Sequence, residues 1–189
     1  MEFLGVLIGR LAVSVLAAVL AGSALHGAQV DVPQVHEHDL KAVFLYNFTR
    51  FVEWPSGIPP GSEPFHLCVV ADAVTTTAVE KAMEGELVNG RASRVLVPKT
   101  VTDAPTCQIL FIGRTEMTRA APLLAAVRDS PVLTVSDADH FAVRGGTIEF
   151  VHEQGRVRFD VNVESARRAG LEISSRLLQV ARRVEGRTR

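Results

Sequence analysis

Phe65-His66-Leu67-Cys68-Val69-Val70-Ala71 and, further along, Gln108-Ile109-Leu110-Phe111-Ile112-Gly113 decide the fold class. Both are continuous apolar runs of strand length, the pattern of strands buried on two faces rather than one. Val132–Val135 repeats the pattern, and Arg94–Pro98 reads as a further strand behind the Asn-Gly turn of Val88-Asn89-Gly90-Arg91. Between them, Val74–Glu84 and Glu116–Arg128 read as helices. Apolar strands separated by helices predict an α/β sandwich: a mostly parallel central sheet in a single domain, with helices on both faces.

Towards the C-terminus the character changes. Thr147–His152 and Arg156–Val163 flank Glu153-Gln154-Gly155, which predicts an antiparallel hairpin. In its second arm Val157, Phe159, Val161 and Val163 alternate with Arg158, Asp160 and Asn162, so one face is polar. Glu164–Ala169 reads as a short helix stopped by Gly170, and Ser174–Val184 as a second helix, before a polar tail at Glu185–Arg189. Towards the N-terminus, His38–Val52 is predicted helical. Leu40, Val43, Phe44, Phe48 and Phe51 supply its apolar face, and Pro55 with the loop Ser56–Pro64 ends it.

The first 28 residues read as a targeting segment. With Arg10 in the n-region, Leu11–Ala21 has the length of a signal-peptide core, and the small residues Gly22, Ser23 and Ala24 suit cleavage between Ser23 and Ala28. The alternative is an uncleaved anchor, since Phe3–Leu25 is long enough to span a bilayer, at the cost of burying Arg10. The chain thus divides into a signal peptide or anchor (1–28), a polar linker (29–37), one domain (38–184) and the tail (185–189). The chain is expected to be exported from the cytoplasm.

Twenty Lys and Arg against 21 Asp and Glu give a formal charge of −1, which argues against a nucleic-acid binder. The cysteines, Cys68 and Cys107, are two in number, and an even count in an exported chain favours a disulfide; two separate buried thiols are the alternative. His36 and His38 stand at i, i+2, a spacing that suits neither one helix face nor a zinc site, so no metal or cofactor is implied. No G-x-S-x-G elbow frames Ser136-Asp137, and Gly145-Gly146 precedes a strand rather than a helix, so it reads as a turn needing positive φ and not as a phosphate cradle. Nothing points to an enzyme. Trp54, behind Phe51 at the end of the first helix, can either anchor a partner or pack the helix onto the sheet. Arg167, Arg168, Arg176, Arg182 and Arg183 read as a solvated helix face.

Taken together the motifs resemble a known family. Lys41-Ala42-Val43-Phe44-Leu45-Tyr46-Asn47-Phe48 running into Phe51-Val52-Glu53-Trp54-Pro55 resembles the N-terminal signature of the YfiR family. Leu67–Val70, Val88–Arg91, Cys107–Ile112, Pro131–Asp137 and the block from Phe141 to Val184 follow in the expected order. The resemblance implies a non-catalytic periplasmic protein that represses an inner-membrane diguanylate cyclase, or another membrane sensor, through its periplasmic region. It also implies an outer-membrane lipoprotein that relieves repression, lowered cyclic di-GMP output with consequences for biofilm, and a homodimer. Cys68 and Cys107 resemble a family disulfide. The archetype's second cysteine pair is missing here, which removes redox control through that bond. Phe51 and Trp54, with Arg144 and Gly145, are the residues expected to touch the partner. A periplasmic small-molecule sensor is the alternative function.

Overall fold

The computed structural model describes residues 36–186, so the expected signal peptide and most of the linker lie outside the described residues. The first element, α1 (Glu37–Phe48), starts on the last residue of the expected linker. It is followed by β1 (Val52–Glu53), β2 (Phe65–Val70), α2 (Ala73–Met83), β3 (Leu87–Val88) and β4 (Arg91–Leu96). A 3-10 turn at Val101–Thr106 leads into β5 (Ile109–Ile112), and another at Arg114–Arg119 into α3 (Ala120–Val127). Then come β6 (Leu133–Ser136), β7 (Ile148–Glu153), β8 (Arg156–Asn162), α4 (Val163–Arg168), β9 (Glu172–Ile173), α5 (Ser175–Val180) and β10 (Arg183–Glu185).

Eight strands form the main sheet in the order β3-β4-β2-β5-β6-β7-β8-β10. Pairing is parallel from β4 through β7 and again between β8 and β10; the β3–β4 and β7–β8 hairpins are antiparallel. The apolar runs behave as their lack of alternation predicts. Leu67, Val69, Ile109 and Phe111 point into a core shared with α1 and α2, while Cys68, Val70, Leu110 and Ile112 point into a second core with Leu123 and Val127 of α3. Helices therefore cover both faces of a mostly parallel sheet. The β7–β8 turn has Gln154 at φ 50° and Gly155 at φ 71°, and Asn89 and Gly90 at φ 51° and 77° do the same between β3 and β4. Two positive φ values in succession match the twist of the flanking strands.

Two expectations need correction. The first helix does not reach Val52: Thr49, Arg50 and Phe51 close it in tight turns, and Val52–Glu53 pairs antiparallel with β9 at Val52↔Ile173 and Glu53↔Glu172. The last helix stops at Val180, where Ala181 turns extended (ψ 140°). Arg183–Glu185 then runs as a strand along β8, with Arg183 opposite Asp160 and Glu185 opposite Asn162. Helical spacing lost here to a tertiary partner, since the free edge of β8 offers Ala181-Arg182-Arg183-Val184 a hydrogen-bonded ladder. Glu185 accordingly belongs to the sheet and not to a tail.

Candidate functional site

The carboxyl ends of parallel strands are where open α/β sheets gather polar groups, and here they meet α1. Lys41 lies in α1 among apolar neighbours and is only 4% exposed. Its ammonium donates to Asp137 Oδ2 at 2.6 Å and also pairs with Glu37, one turn earlier. Asp137 follows β6 directly. Its Oδ1 accepts the backbone N–H of Arg114 at 2.7 Å, and the Arg114 guanidinium donates to the Asp137 carbonyl at 2.8 Å. Glu37 Oε1 lies 2.8 Å from His152 Nε2 on β7. Five side chains from four parts of the chain thus form one ionic string. Partial burial alone would raise the Glu37 carboxyl, but hydrogen bonds and charge from Lys41 and His152 outweigh it and hold it below the usual carboxylate range.

Next to this string opens a cleft of about 450 Å³, lined among others by Arg114, His140, Glu149, His152, Asp160 and Arg182. Its floor is the polar face of the β7–β8 hairpin, where Glu149 sits directly across from Asp160. Two buried carboxylates side by side require compensation. Glu149 accepts the backbone N–H groups of His140 (2.9 Å) and Ala142 (3.1 Å). Asp160 accepts the Arg182 guanidinium through two nitrogens, Nε at 2.8 Å. That hydrogen bonding is the main reason the Arg182 guanidinium holds its proton more firmly than usual, against the effect of partial burial. The buried carboxylates are each engaged by fixed donors, so the arrangement presents a rigid, mixed-charge concavity.

The residues predicted from sequence fall into three places. Cys68 and Cys107 are joined by a disulfide with Cα atoms 5.8 Å apart, fastening β2 to the residue pair that opens β5. Phe51 and Trp54 are half-buried against the core that α1 covers. The Trp54 indole meets Phe65 edge-on at 5.1 Å and donates its N–H to the Gln108 carbonyl at 3.2 Å, which is the packing role. Arg144 and Gly145 belong to the β6–β7 connection, beside α3 on the other face of the sheet. The structure therefore places the two expected contact pairs on opposite layers.

Over residues 38–182 the sequence matches the YfiR/HmsC-like family. The chain belongs to the YfiR/HmsC-like family. Among solved structures, this YfiR/HmsC-like chain is similar to a conserved domain protein from Vibrio cholerae O1 biovar El Tor, with a TM-score of 0.54 and 10% identity. The likeness covers 80% of this chain and 61% of the Vibrio chain, so it spans less than two thirds of that protein and shows the fold alone. A fainter likeness, at TM-score 0.46 and 12% identity, is to an ABC domain in complex with L-Trp from Streptococcus pneumonia, covering 64% of this chain and 55% of that one. No curated protein matches. Among the described residues no helix is long and apolar enough to cross a membrane.

Sequence reading missed the ionic string of this YfiR/HmsC-like protein. Two signals were available, and one was Lys41, a charged residue on the helix four residues after Glu37. Asp137, immediately after a fully buried strand, was the other. Their pairing across 96 residues of sequence had no local signature.

Proposed function

We propose that this protein is a non-catalytic periplasmic regulator that binds and represses a membrane signalling partner, a diguanylate cyclase, and so lowers cyclic di-GMP output. The observation that carries the reading is the family match over residues 38–182. The Cys68–Cys107 bond supports it, because structural disulfides belong to oxidising compartments. Residues 1–28 are read as the export signal and 38–184 as the regulatory domain. Repression works as a population shift, in which this protein binds the partner's inactive state more tightly than its active state. An outer-membrane lipoprotein that sequesters the repressor would release the cyclase. Of the proposed contacts, Arg144 with Gly145 carries more weight than Phe51 with Trp54, whose rings are engaged in packing.

The test is capture of solubilised membrane proteins on the purified protein, paired with cyclic di-GMP measurement in cells lacking it. Recovery of a membrane cyclase and raised cyclic di-GMP in the deletion are the expected results. Unchanged cyclic di-GMP with no cyclase captured overturns the reading.

A second reading, a small-molecule sensor, is favoured by the mixed-charge cleft of about 450 Å³ beside the ionic string. A thermal-shift screen of small metabolites separates the two, since a ligand that binds only the folded state raises the melting temperature.

A further inference from the structure

A second concavity, of about 460 Å³, shares Val143 of the β6–β7 connection with the mixed-charge cleft. One wall is α3, through Ala121, Leu124 and Ala125; the other is the turn carrying Val143, Arg144 and Gly145. Three arginines line it: Arg128 at the end of α3, Arg144 on the turn, and Arg168 at the end of α4. No acidic residue lines it. Elsewhere several arginines face carboxylates: Arg114 with Asp137, Arg119 with Glu116, Arg182 with Asp160 and Arg183 with Glu185. Arg168 meets Glu164 at 3.6 Å, one helical turn back and outside the groove lining. The guanidinium groups of Arg128 and Arg144 have no carboxylate partner among the described residues.

The turn that presents Arg144 is fixed. Its backbone is tied by Arg144 N–H to the carbonyls of His140 (3.1 Å) and Phe141 (3.2 Å), Gly145 N–H to Ala142 (3.2 Å) and Gly146 N–H to Phe141 (3.0 Å). Ser165 of α4 donates to the Gly145 carbonyl at 2.8 Å. Gly145 has φ +98°, and a Cβ on Gly146 would stand 2.1 Å from the Phe141 ring, so both positions are held to glycine. Val143, beside Arg144, is 68% exposed at the mouth of the groove.

We propose that this groove is a binding site for an acidic peptide segment of a protein partner, with its carboxylates on Arg128 and Arg144 and an adjoining apolar side chain between Leu124 and Val143. The planar guanidinium matches a carboxylate two bonds at a time. The site is concave with apolar walls, which suits a protruding side chain; a bilayer surface presents a broad plane and no such projection. This deepens the regulatory reading by assigning the contact chemistry, but it does not depend on the partner being a cyclase.

The test is fluorescence anisotropy of the purified protein with a fluorescein-labelled peptide of sequence Glu-Leu-Glu-Glu-Leu-Glu. The expected result is saturable binding that weakens as salt rises from about 50 to about 300 mM. The double variant Arg128→Glu/Arg144→Glu should bind about tenfold more weakly or worse. Arg94→Glu, on exposed β4, should bind as the parent does. Both substituted groove residues are exposed, and an unchanged melting temperature verifies that the double variant folds. Equal affinity of parent and double variant overturns the proposal. So does absence of peptide binding, whether or not phosphatidylglycerol vesicles sediment the protein. Release of bound peptide by inorganic phosphate at concentrations that sodium chloride of equal ionic strength does not match also overturns it, as the groove is then a phosphate site. A cyclase captured from membranes alongside a silent peptide would leave the regulatory reading standing while removing this one.

Discussion

Consider Asp137→Ala. The substitution removes the carboxylate on which Lys41 and Arg114 converge and leaves the Lys41 ammonium, 4% exposed, with only Glu37 at the protein surface. Stripping one partner from a buried ion pair costs about 3–5 kcal/mol. Glu37 still compensates part of the charge, so the lower end, about 3 kcal/mol, is expected. Lys41→Met should cost less, about 2 kcal/mol, because Asp137 keeps the Arg114 N–H and guanidinium and the methionine retains the apolar stem. If the pair acts as a unit, the double variant costs less than the sum of the singles, by about 1–2 kcal/mol. Urea unfolding followed by far-ultraviolet circular dichroism reads these costs. With a slope of about 2 kcal/mol/M, Asp137→Ala moves the midpoint down by about 1.5 M. Additive costs, or a midpoint shift below about 0.5 M for Asp137→Ala, would refute the view that this string clamps α1 to the sheet.

Reducing the Cys68–Cys107 bond reopens a loop with a sequence separation of 39, which the chain-entropy account values at about 4 kcal/mol. The Cys68→Ala/Cys107→Ala variant should therefore unfold at a clearly lower urea midpoint, and a midpoint equal to the parent's would show that the bond adds nothing. Gly146→Ala drives a methyl into the fully buried Phe141 ring and should cost about 3 kcal/mol, whereas Gly155→Ala, whose Cβ meets nothing, should cost less through its positive φ alone. Glu37, Asp72 and Asp103 all sit below their ordinary values of 4.5, 3.8 and 3.8. Their contribution is present above those values and is lost as pH falls through the folded ones. Stability should drop between about pH 5 and pH 2, Asp72→Asn should flatten the slope, and a rise in stability on acidification would contradict the assignment.

The parts of the fold that depend on apolar continuity were legible. Ile109–Ile112 and all of Phe65–Val70 but the partly buried His66 are buried, as continuous apolar runs of strand length predict. The β7–β8 hairpin announced itself through Gln154-Gly155, and Asn89-Gly90 marked a turn, while its short first arm, Leu87–Val88, was not foreseen. What escaped were elements made by a partner instead of by their own pattern. Val52–Glu53 and Glu172–Ile173 are strands only because each supplies the other's hydrogen bonds. Arg183–Glu185 has helical neighbours and becomes a strand because β8 has a free edge. The same reason hid the polar sites. Lys41 and Asp137, or Arg128, Arg144 and Arg168, are ordinary charged residues in sequence, and only the folded chain shows which are neutralised and which are not. The turn at Gly145-Gly146 was visible because glycine there reads as positive φ, which Gly145 adopts at +98°.

Trp54 is the sole tryptophan of the chain, and its indole is bonded to the residue next to Cys107. All of the protein's tryptophan emission therefore originates at the joint where the post-α1 segment, β2 and the start of β5 converge. A single lamp in that position reports on the docking of the N-terminal segment and on the state of the adjacent sulfur bridge without any label. It stays blind to the arginine groove on the other layer. Signal changes seen when a partner is added can thus be sorted by place before any complex is solved.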